Sequence, residues 1–373
     1  MARPDFNRLL ALIRKEFLAL LRDKASRMVL IGPPLIQLLV FSYAATFDLN
    51  NIPFIVVNED PGLAGRQVVA RFAGAPAFRQ VATLSSTAGM AALIDRRDAL
   101  LAIHVDRDFT RNLLRGRPAP LQIVIDGRNS NTATIALSYA NAIVLDFDAD
   151  WAAAHHGPPA PAVLQVRAWY NPNLLSRWFI VPGIVGLLTF VVTMLVSGLS
   201  VVRERESGTF DQLLVTPYRP WEILIGKATP GFLIGAAEAA VIVAAAVFWF
   251  GVPLIGSLSA LALGLALFLV SAIGIGLMIS SLAATQQQGL LGAFLFLVPA
   301  IILSGFATPI ENMPRVVQYV TYVNPMRYLM VILRGTFLEG DGVAALLGQY
   351  WPLALLGAAS MTAATLLARR RMA

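Results

Sequence analysis

Charged and apolar side chains alternate in one segment that follows a long apolar stretch of the chain. From Arg203 the segment reads RERESGTFDQLLVTP, so a run of alternating charges precedes a short amphipathic run. A solvated connector has no need of apolar residues such as Phe210 and Leu213. A short helix with one charged and one apolar face suits docking into a groove of a partner protein. The residues that we assign to this contact are Arg203, Glu204, Arg205, Glu206, Gly208, Thr209, Phe210, Leu213 and Leu214.

Glu238 is the one charged residue deep within an apolar stretch of the sequence. A charge at the centre of a membrane helix costs about 2.5–3.5 kcal/mol on insertion scales, so this carboxyl must face protein or water. It is either a group on a translocation path or subunit interface, or a hydrogen-bonded packing residue. Gln37 is a weaker case of the same kind, and hydrogen-bonded packing between helices is the simpler interpretation for it.

The sequence lacks the common catalytic and metal-binding motifs. His155 and His156 are adjacent, so their side chains diverge, and we interpret them as part of a solvated loop. The chain has no cysteine and no HExxH or GxSxG motif. Its one Gly-Lys pair, Gly226-Lys227, continues into alanine and forms no phosphate-binding loop. We therefore expect no catalytic residue, metal or cofactor on this chain, and any energy must come from another chain or an ion gradient.

Composition places these residues in a membrane protein. Of 373 residues, 57% are hydrophobic and only 14% are charged, with a mean hydropathy of +0.67. Soluble domains average about 25% charged residues, so this chain has too little charge to cover a solvated surface. Six stretches have about the 20 apolar residues that a bilayer requires. They are Met28–Phe47, Trp178–Val202, Ala228–Phe250, Leu258–Ala283, Gly289–Phe306 and Tyr350–Ala368.

The distribution of lysine and arginine predicts the orientation. With the N-terminus inside, the cytoplasmic pieces are residues 1–27, the loop 203–227, the glutamine linker at 285–288 and the C-terminus. Together they carry the whole net charge of +7, so the positive charge indicates topology and requires no nucleic acid. Apolar residues recur at helical spacing over Phe6–Leu21, which predicts an amphipathic interfacial helix ahead of the first span at 28–47.

Residues 48–177 have ordinary soluble composition and predict a small α/β domain outside the membrane. Three short β-rich runs occur, with helical patterns between and after them. The predicted strands are Ile52–Val57, Leu100–Val105 and Leu121–Ile125, and the predicted helices are Gly65–Phe72, Thr87–Arg97 and Thr132–Trp151.

Three segments together resemble one known family. RERESGTFDQLLVTP is similar to the coupling helix of the permease subunit of type-2 ABC exporters, in the subgroup with a large outside domain after the first span. SGFATPIENMP (Ser304–Pro314), with Asn324–Tyr328 and Leu333–Gly335, is similar to the family's re-entrant region before the last span. DGRNSNTATIALSYANAIV (Asp126–Val144) is the third match, and all three occur in the family's order.

The resemblance implies an α-helical integral membrane protein with one plus five transmembrane helices, the last five within residues 178–373. It implies a coupling loop at 203–227 and re-entrant helices at 307–335, for which the candidate residues are Pro309, Glu311, Pro314, Pro325, Arg327 and Arg334. It also implies a bacterial inner-membrane exporter of hydrophobic or amphipathic cargo, drug-like, lipophilic or ionic.

The partners that the resemblance implies are a cytoplasmic ABC ATPase, which binds ATP and Mg²⁺, and a second permease copy or paralogue. A periplasmic membrane-fusion protein is a further candidate partner. The competing interpretation is a non-transporting membrane scaffold, whose outside domain binds partners and is moved by an associated ATPase.

Overall fold

The computed structural model describes residues 6–22, 24–44, 49–155, 170–171, 175–208 and 219–372. The chain divides into two compact units. One comprises Met1–Ala45 and Ala168–Ala373, and the other, inserted between them, comprises Thr46–Arg167. The first unit begins with two helices, α1 (Phe6–Arg22) and α2 (Lys24–Ala44).

The inserted unit contains a four-stranded sheet. Its strands are β1 (Ile52–Asn58), β2 (Phe78–Leu84), β3 (Leu101–Val105) and β4 (Leu121–Ile125), in the order β2-β1-β3-β4. β1 pairs in parallel with β2 and β3, whereas β4 is antiparallel to β3. The helices are α3 (Leu63–Gly74), α4 (Met90–Asp95), α5 (Phe109–Leu114) and α6 (Ser130–Ala154), with a 3₁₀ turn at Thr87–Gly89.

Most of the predicted elements of this unit are present, and two were missed. Helices α3 and α6 cover one face of the sheet, where the rings of Phe54, Phe72 and Phe78 pack edge to face or tilted. Strand β2 was missed because most of its side chains are exposed or half-exposed, so it lacks the alternation that marks a half-buried strand. The six-residue helix α5 is too short to show a helical period.

The rest of the first unit is a helical bundle. Four described helices are long and apolar enough to cross a membrane, and a shorter apolar helix lies among them. The helices are α7 (Ser176–Glu206), α8 (Pro220–Phe248), α9 (Leu258–Leu282), the shorter α10 (Gln286–Ile302), α11 (Arg315–Thr321), α12 (Pro325–Arg334) and α13 (Leu347–Met372). Helix α7 extends four residues beyond its predicted end at Val202, and α8 begins eight residues before its predicted start at Ala228.

Small residues let the helices of the bundle approach closely, as the sequence of α9 predicts. A Cβ atom at Gly274 would lie 2.2 Å from the hydroxyl of Ser360 on α13. One at Gly276 would lie 2.7 Å from the Cβ of Ser197 on α7. The hydroxyl of Ser271 also donates to the carbonyl of Leu353 at 3.0 Å. Helix α9 therefore packs between α7 and α13.

Candidate coupling site

The structure describes both stems of the predicted coupling loop, where α7 ends and α8 begins. Helix α7 ends at Glu206, and Gly208 follows with φ +70°, a left-handed conformation that glycine adopts without a Cβ penalty. Helix α8 begins with Pro220 in its first turn, and the Glu222 carboxylate accepts a hydrogen bond from the Arg219 backbone N–H at 2.7 Å. Both stems are thus capped, and the loop has defined points of departure and return.

Four charged side chains from three helices meet beside these stems, and we call them the ion cluster: Lys15, Glu16, Glu204 and Lys227. Lys15 of α1 and Lys227 of α8 each donate to one carboxylate oxygen of Glu204 on α7. Both lysines also lie 3.3 Å from one carboxylate oxygen of Glu16. Two positive and two negative groups therefore neutralise one another between α1, α7 and α8.

Three of the four side chains of the ion cluster are largely buried, and Lys15 is half-exposed. The Lys227 side chain is 0% exposed, and the side chains of Glu16 and Glu204 are 10% and 12% exposed. Removing one partner of a buried ion pair typically costs about 3–5 kcal/mol, because the remaining charge is left without compensation. The cluster therefore holds α1 against the two stems of the coupling loop.

Burial and the neighbouring charges shift the pKa values of Glu16 and Lys15 on α1. Burial raises the pKa of the Glu16 carboxyl, and the neighbouring charge of Lys227 offsets this only in part. Burial acts to lower the pKa of Lys15, but its hydrogen bond to Glu204 and the charge of Glu16 outweigh burial and raise it. Lys15 therefore keeps its proton at neutral pH, as the pairing with Glu204 requires.

Steric fit reinforces the contact between α1 and α8. Leu12 is 3% exposed, and a Cβ atom at Gly226 would lie 2.5 Å from the Leu12 side chain. Leu12 and Glu16 are one helical turn apart and form the buried edge of α1. The expected helix over Phe6–Leu21 is therefore present, and it packs against α8.

The ion cluster was not predicted, although the sequence contains a signal for it. Glu16 lies three residues after Ile13 and four before Leu20, so an acidic group interrupts the apolar stripe of α1. Lys227 similarly stands within the apolar residues of α8. A charge on an apolar face indicates a buried partner, but the sequence does not say which of the other charges that partner is.

Glu204 is one of the residues that we assign to the partner contact, and that assignment stays a prediction. In the structure this residue is buried, and its two carboxylate oxygens accept hydrogen bonds from lysines of the same chain. Charge reversal here would put a third positive group beside Lys15 and Lys227. Glu204 therefore belongs to the internal support of the loop.

The neighbouring charges join α7 to the hairpin of α9 and α10. Arg205 donates to the carbonyls of Ser281 and Ala283 at the end of α9, at 3.3 and 2.7 Å. Such carbonyls are unpaired within their own helix, and a cation stabilises that end. Glu206 is exposed and accepts from the backbone and side chain of Gln286, at 3.3 and 2.6 Å. Arg203 is partly buried.

The central part of the predicted contact lies outside the described residues. Thr209, Phe210, Leu213 and Leu214 fall within 209–218, so their assignment to a partner contact stays a prediction. The described stems show where this segment is attached.

The two polar residues that were predicted within apolar stretches, Gln37 and Glu238, differ in their surroundings. Gln37 is partly buried on α2, next to the buried Leu38. Both carboxylate oxygens of Glu238 are buried and have no hydrogen-bond partner among the described residues. The carboxyl thus lacks the hydrogen bonds that a packing role would supply.

The predicted re-entrant region contains short helices, and two arginine side chains in it contact neighbouring segments. Pro309 precedes a 3₁₀ turn that contains Glu311, Pro314 precedes α11, and Pro325 occupies the first turn of α12. Arg327 donates to the Thr321 hydroxyl and lies 4.0 Å from the ring centroid of Tyr322.

Arg334 ties the end of α12 to the loop that follows α10. Its guanidinium donates to the carbonyl of Gly305 at 2.9 Å and lies 4.4 Å from the ring centroid of Phe179 on α7. A cation over an aromatic face is stabilised further when the site is desolvated. Both arginines of this region therefore serve packing within the first unit.

Comparison with known proteins covers nearly the whole chain. The sequence matches the family described as ABC-2 family transporter protein over residues 24–366. It is 40% identical over 369 residues to the probable multidrug ABC transporter permease YbhR of Escherichia coli (strain K12), covering 98% of this chain and 100% of that protein. The probable multidrug ABC transporter permease YbhS of the same strain is 32% identical over 359 residues, with 91% and 92% covered. The inner membrane transport permease YhhJ of that strain is 28% identical over 360 residues, with 95% of each chain covered. By its match, its helical bundle and its resemblance to these permeases, the chain belongs to the ABC-2 family of transporter proteins.

Proposed function

We propose that this chain is the membrane-spanning permease subunit of an ATP-driven exporter. It would move hydrophobic or amphipathic cargo out of the cytoplasm or inner membrane, while a separate ATPase subunit binds ATP and Mg²⁺. The observation that carries the proposal is the internally braced base of the coupling loop, where Glu204 and Lys227 join α7 to α8. A loop that merely connected two spans would not need such a base. The names of the relatives favour transport over a non-transporting scaffold.

The proposed arrangement in the membrane has six spans, with both termini and the coupling loop in the cytoplasm and residues 48–177 outside. The four long apolar helices, together with α2 and α10, are the candidates for these spans. Because the native chain has no cysteine, labelling of introduced cysteines can test the orientation. We expect an impermeant reagent to label Ser130→Cys from outside, and labelling only after the inner membrane is opened would contradict this orientation.

In the proposed mechanism the ATPase binds the part of the loop that contains Phe210 and Leu213. Closure of the ATPase pushes on this part, and the two stems transmit the displacement to α7 and α8. The ion cluster adds α1 to the moving group, because Lys15 and Glu16 are bound to the same stems. Two permease chains, either two copies or a copy and a paralogue, would enclose one pathway.

A pull-down of the ATPase, combined with transport in membrane vesicles, tests the coupling contact. Truncating a buried interface anchor typically costs about 2 kcal/mol or more. We therefore expect Phe210→Ala and Leu213→Ala to weaken ATPase association, while Arg14→Ala on the exposed face of α1 serves as the control. Full association and full transport in the variant with both alanines would reject this segment as the coupling element.

A further inference from the structure

Three buried hydroxyl residues of α7 and one glutamate of α8, whose carboxylate oxygens are buried, make up what we call the polar seam: Thr189, Thr193, Ser197 and Glu238. The three hydroxyl residues follow one another at four-residue intervals on one face of α7, and each is 0% exposed. Their hydroxyl groups have no hydrogen-bond partner among the described residues. A helical serine or threonine commonly donates to a carbonyl one turn back, as Thr229 and Ser281 do here. The seam hydroxyls do not form this bond.

Two of the seam hydroxyls, those of Thr193 and Ser197, lie close to α8. A Cβ atom at Gly231 would lie 3.1 Å from the Ser197 hydroxyl oxygen, and one at Gly235 would lie 2.6 Å from the Thr193 hydroxyl oxygen. The two helices therefore run antiparallel, with Gly231 opposite Ser197 and Gly235 opposite Thr193. Glycine leaves these hydroxyls facing bare backbone.

Glu238 continues the same face of α8. It follows Gly235 by three residues, a spacing that keeps side chains on one side of a helix. Continued by four more residues on each helix, this register pairs Thr189 of α7 with Ala239, the residue that follows Glu238 on α8. Both carboxylate oxygens are buried, and no group among the described residues donates a hydrogen bond to them. The seam therefore ends in an acidic group without a counter-charge.

Energetics distinguish this seam from ordinary packing. Buried polar groups in proteins are nearly always hydrogen-bonded, and a buried carboxylate needs a partner of opposite charge. Four such groups without partners on two neighbouring helices indicate a site that receives its partner from outside the chain. Thr189 and Ser197 are about 12 Å apart along α7, so the four seam residues cannot all converge on a single metal ion. They suit an elongated ligand with hydrogen-bond donors at one end.

We propose that the polar seam binds the ammonium group of a cationic amphiphile during transport. Glu238 supplies the counter-charge, and the hydroxyl of Thr193 accepts a hydrogen bond from the ammonium group or a polar atom next to it. The apolar residues around the seam receive the hydrocarbon part. The coupling loop joins the two helices that close the seam, so motion at the loop can part them. This inference rests on the proposed function and names its substrate class.

The test uses the permease together with its ATPase in inside-out vesicles and two probes. One is a fluorescent dye with a primary alkylamine chain, and the other is the same dye with an alcohol in place of the amine. We expect Glu238→Gln to lower ATP-driven uptake of the amine at least tenfold and to leave uptake of the alcohol within twofold. Thr193→Val should lower amine uptake severalfold in the same selective manner. Glu339→Gln, at an exposed position, is the matched control and should change neither.

The possible outcomes separate this inference from the proposed function. Unchanged amine uptake in Glu238→Gln, or an equal loss of both probes with normal ATPase association, overturns the inference and leaves the exporter proposal intact. If Glu238→Gln does not accumulate in the membrane, Thr193→Val decides, and equal effects on the two probes overturn the inference. Wild-type vesicles that take up neither probe with ATP overturn both proposals.

Discussion

Two glutamates on neighbouring helices, Glu204 and Glu238, differ in what surrounds their carboxylate groups. Glu204 near the end of α7 is bound by Lys15 and Lys227, whereas Glu238 in α8 has no partner among the described residues. The coupling loop joins these two helices directly. A buried carboxylate with two lysines stabilises the fold, while one without a counter-charge is available for a ligand. The partners of a buried charge, and not its residue type, indicate which role it has.

The largest effect should come from removing the central cation of the ion cluster. Lys227→Met would leave Glu16 and Glu204 buried with only Lys15 between them, so we expect a loss of about 3–5 kcal/mol in stability. Thermal unfolding in detergent measures this, with Arg14→Ala at an exposed site of α1 as the control. Equal unfolding temperatures for Lys227→Met and the wild type would show that the cluster does not support the fold.

A double-mutant cycle would sharpen the same point. Glu204→Gln alone should cost about 1.5–3 kcal/mol, because hydrogen bonds between charged groups are lost. Combined with Lys227→Met, it should cost less than the sum of the single variants by about 0.5–3 kcal/mol, since each removes a charge that the other would leave unpaired. Strict additivity would mean that the two side chains act independently.

The close approach of the helices at the polar seam can be tested by comparing two separate glycine-to-alanine variants. Gly235→Ala would put a Cβ atom 2.6 Å from both Thr193 and Leu269, and overpacking of this kind costs about 1–3 kcal/mol. Gly348→Ala meets no atom within 4 Å and should be neutral or raise stability by up to about 1 kcal/mol. Similar unfolding temperatures for both variants would argue against tight packing of α7 on α8.

The smallest effect on stability should come from Glu238→Gln. Because the carboxylate has no partner to lose, we expect the stability to stay within about 0.5 kcal/mol of the wild type, in contrast to Glu204→Gln. The same detergent unfolding assay provides the comparison. A loss as large as that of Glu204→Gln would abolish the distinction between the two glutamates and assign Glu238 to packing.

Hydropathy and period predicted the main elements correctly because both are local properties of the sequence. Each of the six predicted apolar stretches corresponds to a helix of the structure, with boundaries that differ by up to eight residues over the described part of the chain. The charged run at Arg203–Glu206 was expected to follow the span but continues its helix, since its side chains find partners at the ends of α9 and α10. Strand β2 escaped notice because its exposed side chains show no pattern.

The sequence by itself determined that this is a helical membrane protein with an inserted α/β unit and a charged loop attached to its spans. Only the tertiary structure decided which charge meets which. Glu204 and Lys15 are 189 residues apart, and Lys227 and Glu16 are 211 apart. Contacts over such separations follow from how the helices pack. The absence of a partner for Glu238 among the described residues likewise became visible only in the tertiary structure, because a helix pattern shows which face a side chain is on but not what faces it.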